Sequence, residues 1–238
     1  MDNILLIDKP VGITSFDVIR RLRREFKEKG ILIPDLRAKG GVKTLKASRR
    51  VKMGHAGTLD PLASGLMIIG VGDGTKKLSE YIKLDKEYVA EILLGERRST
   101  GDMEGEVLEE MEVDEVSRED VEEVLKSMLG TVTLPVSAYS AIKKDGVPMY
   151  KRARRLEKVG KQVEELPVRD MEVIEAEYQE HSCADGRCIV QVRFYVGSGT
   201  YIRSLAEEIG RRLKCPATLK SLRRTKVGEF SVEDARIV

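Results

Sequence analysis

Tryptophan is absent from the 238-residue chain, and cysteine (three), histidine (two) and phenylalanine (four) are scarce. So few cysteines exclude a disulfide-stapled scaffold. Two histidines, His55 and His181, leave little material for multi-histidine metal catalysis, and no G-x-S-x-G elbow exists for a serine triad. No run approaches the ~18 apolar residues of a membrane span. The N-terminus, MDNILLIDKPVG, carries an acid at position 2 and too short an apolar stretch for a signal peptide, so a cytoplasmic protein is expected. Long polar tracts that would argue for disorder are missing. Asparagine and glutamine occur only at Asn3, Gln162, Gln179 and Gln191, while Glu, Lys and Arg abound, a composition that hints at a thermophile.

Charge is plentiful and unevenly placed. The formal net charge is +2, from 42 Lys+Arg against 40 Asp+Glu. Residues 20 to 52 hold 13 bases and three acids, whereas residues 87 to 125 hold 15 acids and three bases. Two more basic stretches follow at 143 to 161 and at 211 to 226, the second without any acid. Three such segments could line a groove for a polyanion with the acidic stretch turned away; they could equally be solvated faces.

Local patterns predict a mixed set of elements. Ile4–Ile7 and Leu66–Ile69 read as short buried strands, and Lys86–Leu94 as a longer one with Tyr88, Ala90, Ile92 and Leu94 on one face. Thr14 and Asp17 form a capping box for a helix burying Val18, Ile19, Leu22 and Phe26. Ser117 and Asp120 cap a second helix that Gly130 stops, and a very basic helix is expected near 150 to 158. A hairpin turns at Asp185-Gly186, which sets Cys183 opposite Cys188. Cross-strand or buried thiols are expected there rather than zinc, because the spacing matches no common finger. Gly197–Thr200 opens a helix with Tyr201, Leu205, Ile209 and Leu213, and a last strand is expected near 225 to 230. Strands and helices alternate without a βαβ repeat, so the fold class is α+β: a mixed sheet flanked by helices and loops, in one domain.

Of the glycine-rich stretches, Gly70–Lys76 fails both the Walker pattern and the dinucleotide fingerprint and reads as a turn. Gly54–Gly65 differs in kind. Pro61 biases Asp60 toward an extended backbone and suits a first helical position, so Asp60 is expected as an N-cap with its carboxylate held ionised. Such a group is either a plain cap or a nucleophile. Small residues around His55 (Gly54, Ala56, Gly57) leave room for a planar ligand beside it.

The stretch Gly54-His55-Ala56-Gly57-Thr58-Leu59-Asp60-Pro61 resembles the signature of the TruB-type tRNA pseudouridine synthases. Lys9–Ser15, Lys86-Glu87-Tyr88, Pro135–Lys143 with Gly146, Tyr150 and Ala153-Arg154, Gly199–Leu205 and Leu222-Arg223-Arg224 resemble further motifs of that family, in order. The resemblance implies the pseudouridine-synthase fold with an RNA-gripping thumb at about 134–160. It implies isomerisation of uridine-55 in the TΨC loop of tRNA, with no cofactor, no metal and no obligatory protein partner, by a monomer.

Residue by residue, the resemblance makes Asp60 the catalytic carboxylate, Tyr88 a stacking residue that assists proton removal, and Arg203 the partner that orients Asp60. His55, Lys9, Pro10, Gly57, Thr58, Tyr201, Leu222 and Arg224 are implied at the substrate, and Lys143, Tyr150 and Arg154 on the RNA. Residues 31–48 look like an insertion, and the C-terminal PUA domain usual in the family is not seen before Val238. The competing readings are an RNA-binding or tRNA-remodelling protein and the catalytic subunit of a guide-RNA-dependent complex.

Overall fold

The computed structural model describes residues 3–29, 52–140, 142–157 and 166–238. The insertion expected at 31–48 lies outside them but for its neighbours, as do 158–165 of the thumb. In chain order the elements are β1 (Ile4–Lys9), α1 (Ser15–Glu28), β2 (Met53–His55), β3 (Ala63–Val71), α2 (Leu78–Ile82), β4 (Lys86–Leu94), β5 (Glu96–Arg98), β6 (Val107–Glu110) and α3 (Arg118–Ser127). They continue as β7 (Gly130–Pro135), β8 (Lys143–Lys144), β9 (Val147–Pro148), α4 (Met149–Glu157), β10 (Val168–Ala184), β11 (Arg187–Val196), α5 (Ile202–Arg212), β12 (Ala217–Val227), β13 (Phe230–Ser231) and β14 (Arg236–Ile237). Two compact units emerge: Met1–Tyr88 with Arg223–Val238, and Val89–Leu222.

In the first unit the sheet runs β14-β1-β3-β12, with β2 added to β3 and β13 to β12. β1 lies antiparallel to β3 and parallel to β14. The β3 sequence, ASGLMIIGV, is buried over almost its whole length, which is why it carries no polar alternation. Its Gly65 has φ +106, and a Cβ there would fall 2.2 Å from the Arg224 carbonyl oxygen. Only glycine lets the two strands approach this closely. Behind the sheet, Ala56, Leu66, Ile68, Leu78 and Val227 pack with Leu6, Tyr81 and Phe230. The Gly70–Lys76 stretch is a 3₁₀ turn pressed inward: a Cβ on Gly74 would lie 2.1 Å from the Asn3 carbonyl oxygen. It offers no phosphate cradle.

In the second unit the order is β4-β11-β10-β7, and β5–β6 and β8–β9 form separate hairpins. β4 alternates as expected, with Lys86, Tyr88, Ala90, Ile92 and Leu94 buried. Asp185 (φ 52) and Gly186 (φ 69) make the expected hairpin turn between β10 and β11. Cys183 and Cys188 face each other across it and are joined by a disulfide.

Both capping expectations hold. The Thr14 side chain accepts from the Asp17 N–H while the Asp17 carboxylate accepts from the Thr14 N–H, and Ser117 accepts from Asp120 N–H. The final strand is longer than expected, starting at Ala217 rather than near 225.

Candidate active site

One expectation about the Gly54–Gly65 stretch is corrected. Asp60 caps no helix. Asp60-Pro61-Leu62-Ala63 is a tight turn closed by the Ala63 N–H donating to the Asp60 carbonyl (3.1 Å), and the chain then enters β3. Pro61 suits either structure, but burying an apolar run against β1 outweighs starting a helix there.

That turn is fixed from α1 and the loop before it. Ser15 Oγ accepts from the Leu59 N–H and donates to the Leu59 carbonyl, both at 2.8 Å. The Gly12 N–H donates to the Pro61 carbonyl at 2.8 Å. The loop bearing Gly12 is held in turn by Lys9, which is 0% exposed and donates through Nζ to the carbonyls of Pro10 (2.9 Å) and Ile13 (2.8 Å). Asp60, half-buried, thus projects from a backbone clamped on both sides. We expect Ser15→Ala, which orphans two buried backbone groups, to lower stability by about 1–3 kcal/mol. Thermal unfolding together with turnover measures this: the loss of activity should exceed the loss of folded protein, since the carboxylate is no longer fixed.

Beneath the same stretch lies a cationic floor. Arg224, 1% exposed, donates through Nε to the Leu66 carbonyl (2.8 Å) and through Nη2 to the Gly57 carbonyl (3.2 Å). Lys86, also buried, donates to the carbonyls of Ile82 (2.8 Å) and Leu84. Burial and the neighbouring Arg224 pull the Lys86 ammonium down to about 8, with Asp85 opposing them. Burial and the same Arg224 also lower His55 below its ordinary 6.5, against a smaller opposing hydrogen bond from the Gly57 backbone. His55 therefore stands as a neutral imidazole at pH 7.

The linkage has a definite sign. Below about pH 6.5 the unfolded chain binds a proton at His55 that the folded chain resists, so stability falls as pH drops through that value. Thermal unfolding between pH 5 and pH 7.5 should show this loss, and His55→Gln should flatten it.

Of the other residues expected at the substrate, Thr58 is exposed, Pro10 is half-buried and the Tyr88 ring is buried on β4. Lys9, Pro10, His55, Gly57, Thr58, Asp60, Tyr88 and Arg224 thus all belong to the first unit.

Tyr201, Arg203, Leu222, Lys143, Tyr150 and Arg154 belong to the second. Tyr201 is the N-cap of α5, its N–H directed at Met171 Sδ (3.5 Å). Leu222 is half-buried on β12, and Lys143 is exposed on β8, opposite Pro148. Tyr150 and Arg154 lie on α4. Arg203 is 7% exposed; its Nη1 donates to the Thr100 carbonyl (2.9 Å) and lies 3.4 Å from Asp102 Oδ2. Asp102 is 2% exposed, and its Oδ1 accepts from Thr100 Oγ1 (2.5 Å) and the Glu104 N–H (3.1 Å).

Asp102 escaped the sequence reading, as did the roles of Ser15 and Lys86. No periodicity marks Asp102. The only signal was turn chemistry, Ser99-Thr100-Gly101-Asp102, inside an acidic stretch.

The basic run 211–226 is also corrected as a free polyanion surface. Arg211 and Arg212 both pair with Glu208, Lys220 lies 3.7 Å from Glu91, Arg223 pairs with Asp8, Lys226 with Glu87, and Arg224 is buried. Strand pairing brings in acids from distant sequence that the run itself does not contain.

With this geometry in view, comparisons give one answer. Residues 43–202 match the family described as TruB family pseudouridylate synthase, N-terminal domain. A tRNA pseudouridine synthase B of Desulfotalea psychrophila is 40% identical over 233 residues, covering 98% of this chain and 84% of that protein. One from Parabacteroides distasonis is 35% identical over 230 residues, covering 97% and 87%. Among solved structures, an H/ACA ribonucleoprotein bound to a substrate RNA containing 2′-deoxyuridine aligns with TM-score 0.60 at 24% identity, over 97% of this chain and 49% of that one. An archaeal box H/ACA complex gives 0.60 at 24% over 99% and 50%. The chain spans about half the length of these two structures, and that likeness is one of fold.

Proposed function

Because the chain belongs to the TruB family of pseudouridylate synthases, we propose that Asp60 is the carboxylate with which it converts a uridine in the TΨC loop, uridine-55, to pseudouridine. The enzyme is an isomerase acting on tRNA. The observation that carries the assignment of Asp60 is its turn, pinned by Ser15, Gly12 and Ala63 above buried Lys9, Lys86 and Arg224.

A uridine inside a folded loop must be extruded before its C1′ is reachable, at a cost of a few kcal/mol. Buried cations whose hydrogen bonds go to carbonyl dipoles leave net positive charge under the stretch, which favours the approach of a phosphate backbone. His55, small and uncharged, leaves that charge to Arg224 and Lys86. The Tyr88 ring and Leu222 are apolar platforms for an unstacked base.

The reaction breaks N1–C1′, rotates the uracil, forms C5–C1′ and releases the C5 proton to water. Neither electrons nor a second substrate enters. Asp60 acts either by attack on C1′ or by removing the C2′ proton to give a glycal. Both need an ionised carboxylate held still, which the clamped turn supplies. Tyr88 assists removal of the C5 proton, and Arg203 orients Asp60. Arg203 is itself stiffened by Asp102, so a rigid guanidinium is available for that task. Lys143, Tyr150 and Arg154 grip the RNA stem. The protein works as a monomer in the cytoplasm without a protein partner.

The test is tritium release from tRNA labelled at uridine C5, with protein alone and no guide RNA. Release matched by one pseudouridine per tRNA is the expected result. Tight tRNA binding without release would leave only the remodelling reading.

A further inference from the structure

Gly101 seats one face of α5. With φ +75 it carries no Cβ, and the position a Cβ would take lies 3.5 Å from Arg203 Cβ and 3.5 Å from Glu207 Cδ. The loop is stitched in place by the Gly101 N–H to the Arg98 carbonyl (3.0 Å) and the Leu219 N–H to the Gly101 carbonyl (3.1 Å). Arg203 and Glu207, one helical turn apart, therefore press on the same spot beside Asp102.

The two acids there are treated differently. Asp102 has both oxygens engaged, Oδ1 by Thr100 and Glu104 and Oδ2 by Arg203. Glu207 makes no hydrogen bond or ion pair with any described residue at the distances those contacts have. Its neighbour Glu208 takes both Arg211 and Arg212. The charged groups facing the Glu207 carboxyl are Arg97 of β5, Arg203 of its own helix and Asp102 of the intervening loop. Burial pushes the carboxyl above its ordinary value; Arg97 and Arg203 pull it back, and Asp102 adds to the rise. A half-buried, unbonded carboxyl group destabilises the folded chain when ionised, so its position calls for a reason beyond packing.

We propose that Glu207 is a positioning residue for the reaction, a second carboxyl group whose charge state sets how tightly Arg203 is held within its own unit. Ionised, Glu207 draws the guanidinium toward the Gly101 seat. Neutral, it leaves Asp102 as the acid holding Arg203 there, and the remaining guanidinium N–H groups are freer to act on the reacting carboxylate. The proposal rests on the reading in which Arg203 orients Asp60.

The test compares wild type, Glu207→Gln, Glu207→Asp and Asp60→Asn in the full chain, by single-turnover pseudouridine formation and by thermal unfolding across pH 5 to 8.5. In wild type the rate should fall by about two- to tenfold as Glu207 ionises, the factor that up to one pKa unit of coupling represents. Glu207→Gln should hold the upper rate throughout, while Glu207→Asp should keep the fall. In unfolding, a raised carboxyl makes stability decline as pH rises between its unfolded and folded values. Glu207→Gln should therefore melt higher than wild type at pH 7.5.

A Glu207→Gln profile superimposable on that of wild type, or one lowered equally at every pH together with a lower melting temperature, overturns the proposal while leaving the catalytic reading intact. Turnover by Asp60→Asn would instead remove the reading on which it rests.

Discussion

Asp60→Asn should form pseudouridine at least about 10³-fold more slowly than wild type, while remaining folded and able to bind tRNA. The substitution changes one oxygen for a nitrogen of nearly the same size and leaves every backbone bond of the turn in place: Ala63 to the Asp60 carbonyl, Gly12 to Pro61, and Ser15 to Leu59. The amide is uncharged and far less nucleophilic, and it cannot accept a proton at neutral pH, so both routes to the rearranged nucleoside close together. Stability should change by no more than about 1 kcal/mol, because the group is half-buried and no cavity opens. Mass analysis of digested tRNA measures the product, and thermal unfolding measures the fold. If Asp60→Asn retained a tenth of wild-type turnover, the carboxylate would have no role in bond cleavage.

The second large effect is expected at Arg203 and Asp102. Both are almost wholly buried, 7% and 2% exposed, so truncating one strands the other's charge in a place that water does not reach. Arg203→Ala or Asp102→Ala should each cost about 3–5 kcal/mol. Removing both should cost less than the sum, with a coupling of about 0.5–3 kcal/mol. Arg203→Lys should not rescue, because a single ammonium cannot reach the Thr100 carbonyl, Ser137 Oγ and Asp102 from one planar fork. Turnover by the folded fraction should drop by about 10²-fold, the scale of a misplaced reacting group. Denaturant titration of the four proteins in the cycle separates the two effects. Additive losses would mean that the pair is not one unit.

How much of this could be read in advance depends on the range of the interactions involved. The capping boxes at Thr14 and Ser117, the Asp185-Gly186 turn and the alternation of β4 are each set by residues within a few positions of one another, and all appear where expected. The motif around Asp60 was legible as a resemblance, but its local structure was not. Pro61 satisfies a helix start and a turn equally well, and the choice is made by β1, which pairs with β3 and lies more than fifty residues away in sequence. Arg203 meets Thr100 across 103 residues, and the acid that holds it sits in a stretch whose fourteen other acids hide it. The basic run failed for the same reason. Asp8, Glu87 and Glu91 reach its side chains only once the strands are side by side.

The Cys183–Cys188 bond ties the two strands just before a tip that is itself docked, Gly186 accepting from the Val113 N–H (2.9 Å) and Arg187 Nη2 from β11 bonding Glu110 Oε1 of β6 (2.7 Å). A purification carried out in dithiothreitol and one carried out in air consequently yield two chemically distinct preparations. In the first, the tip is kept closed by its turn and those polar contacts alone, and melting curves recorded on the two are not interchangeable.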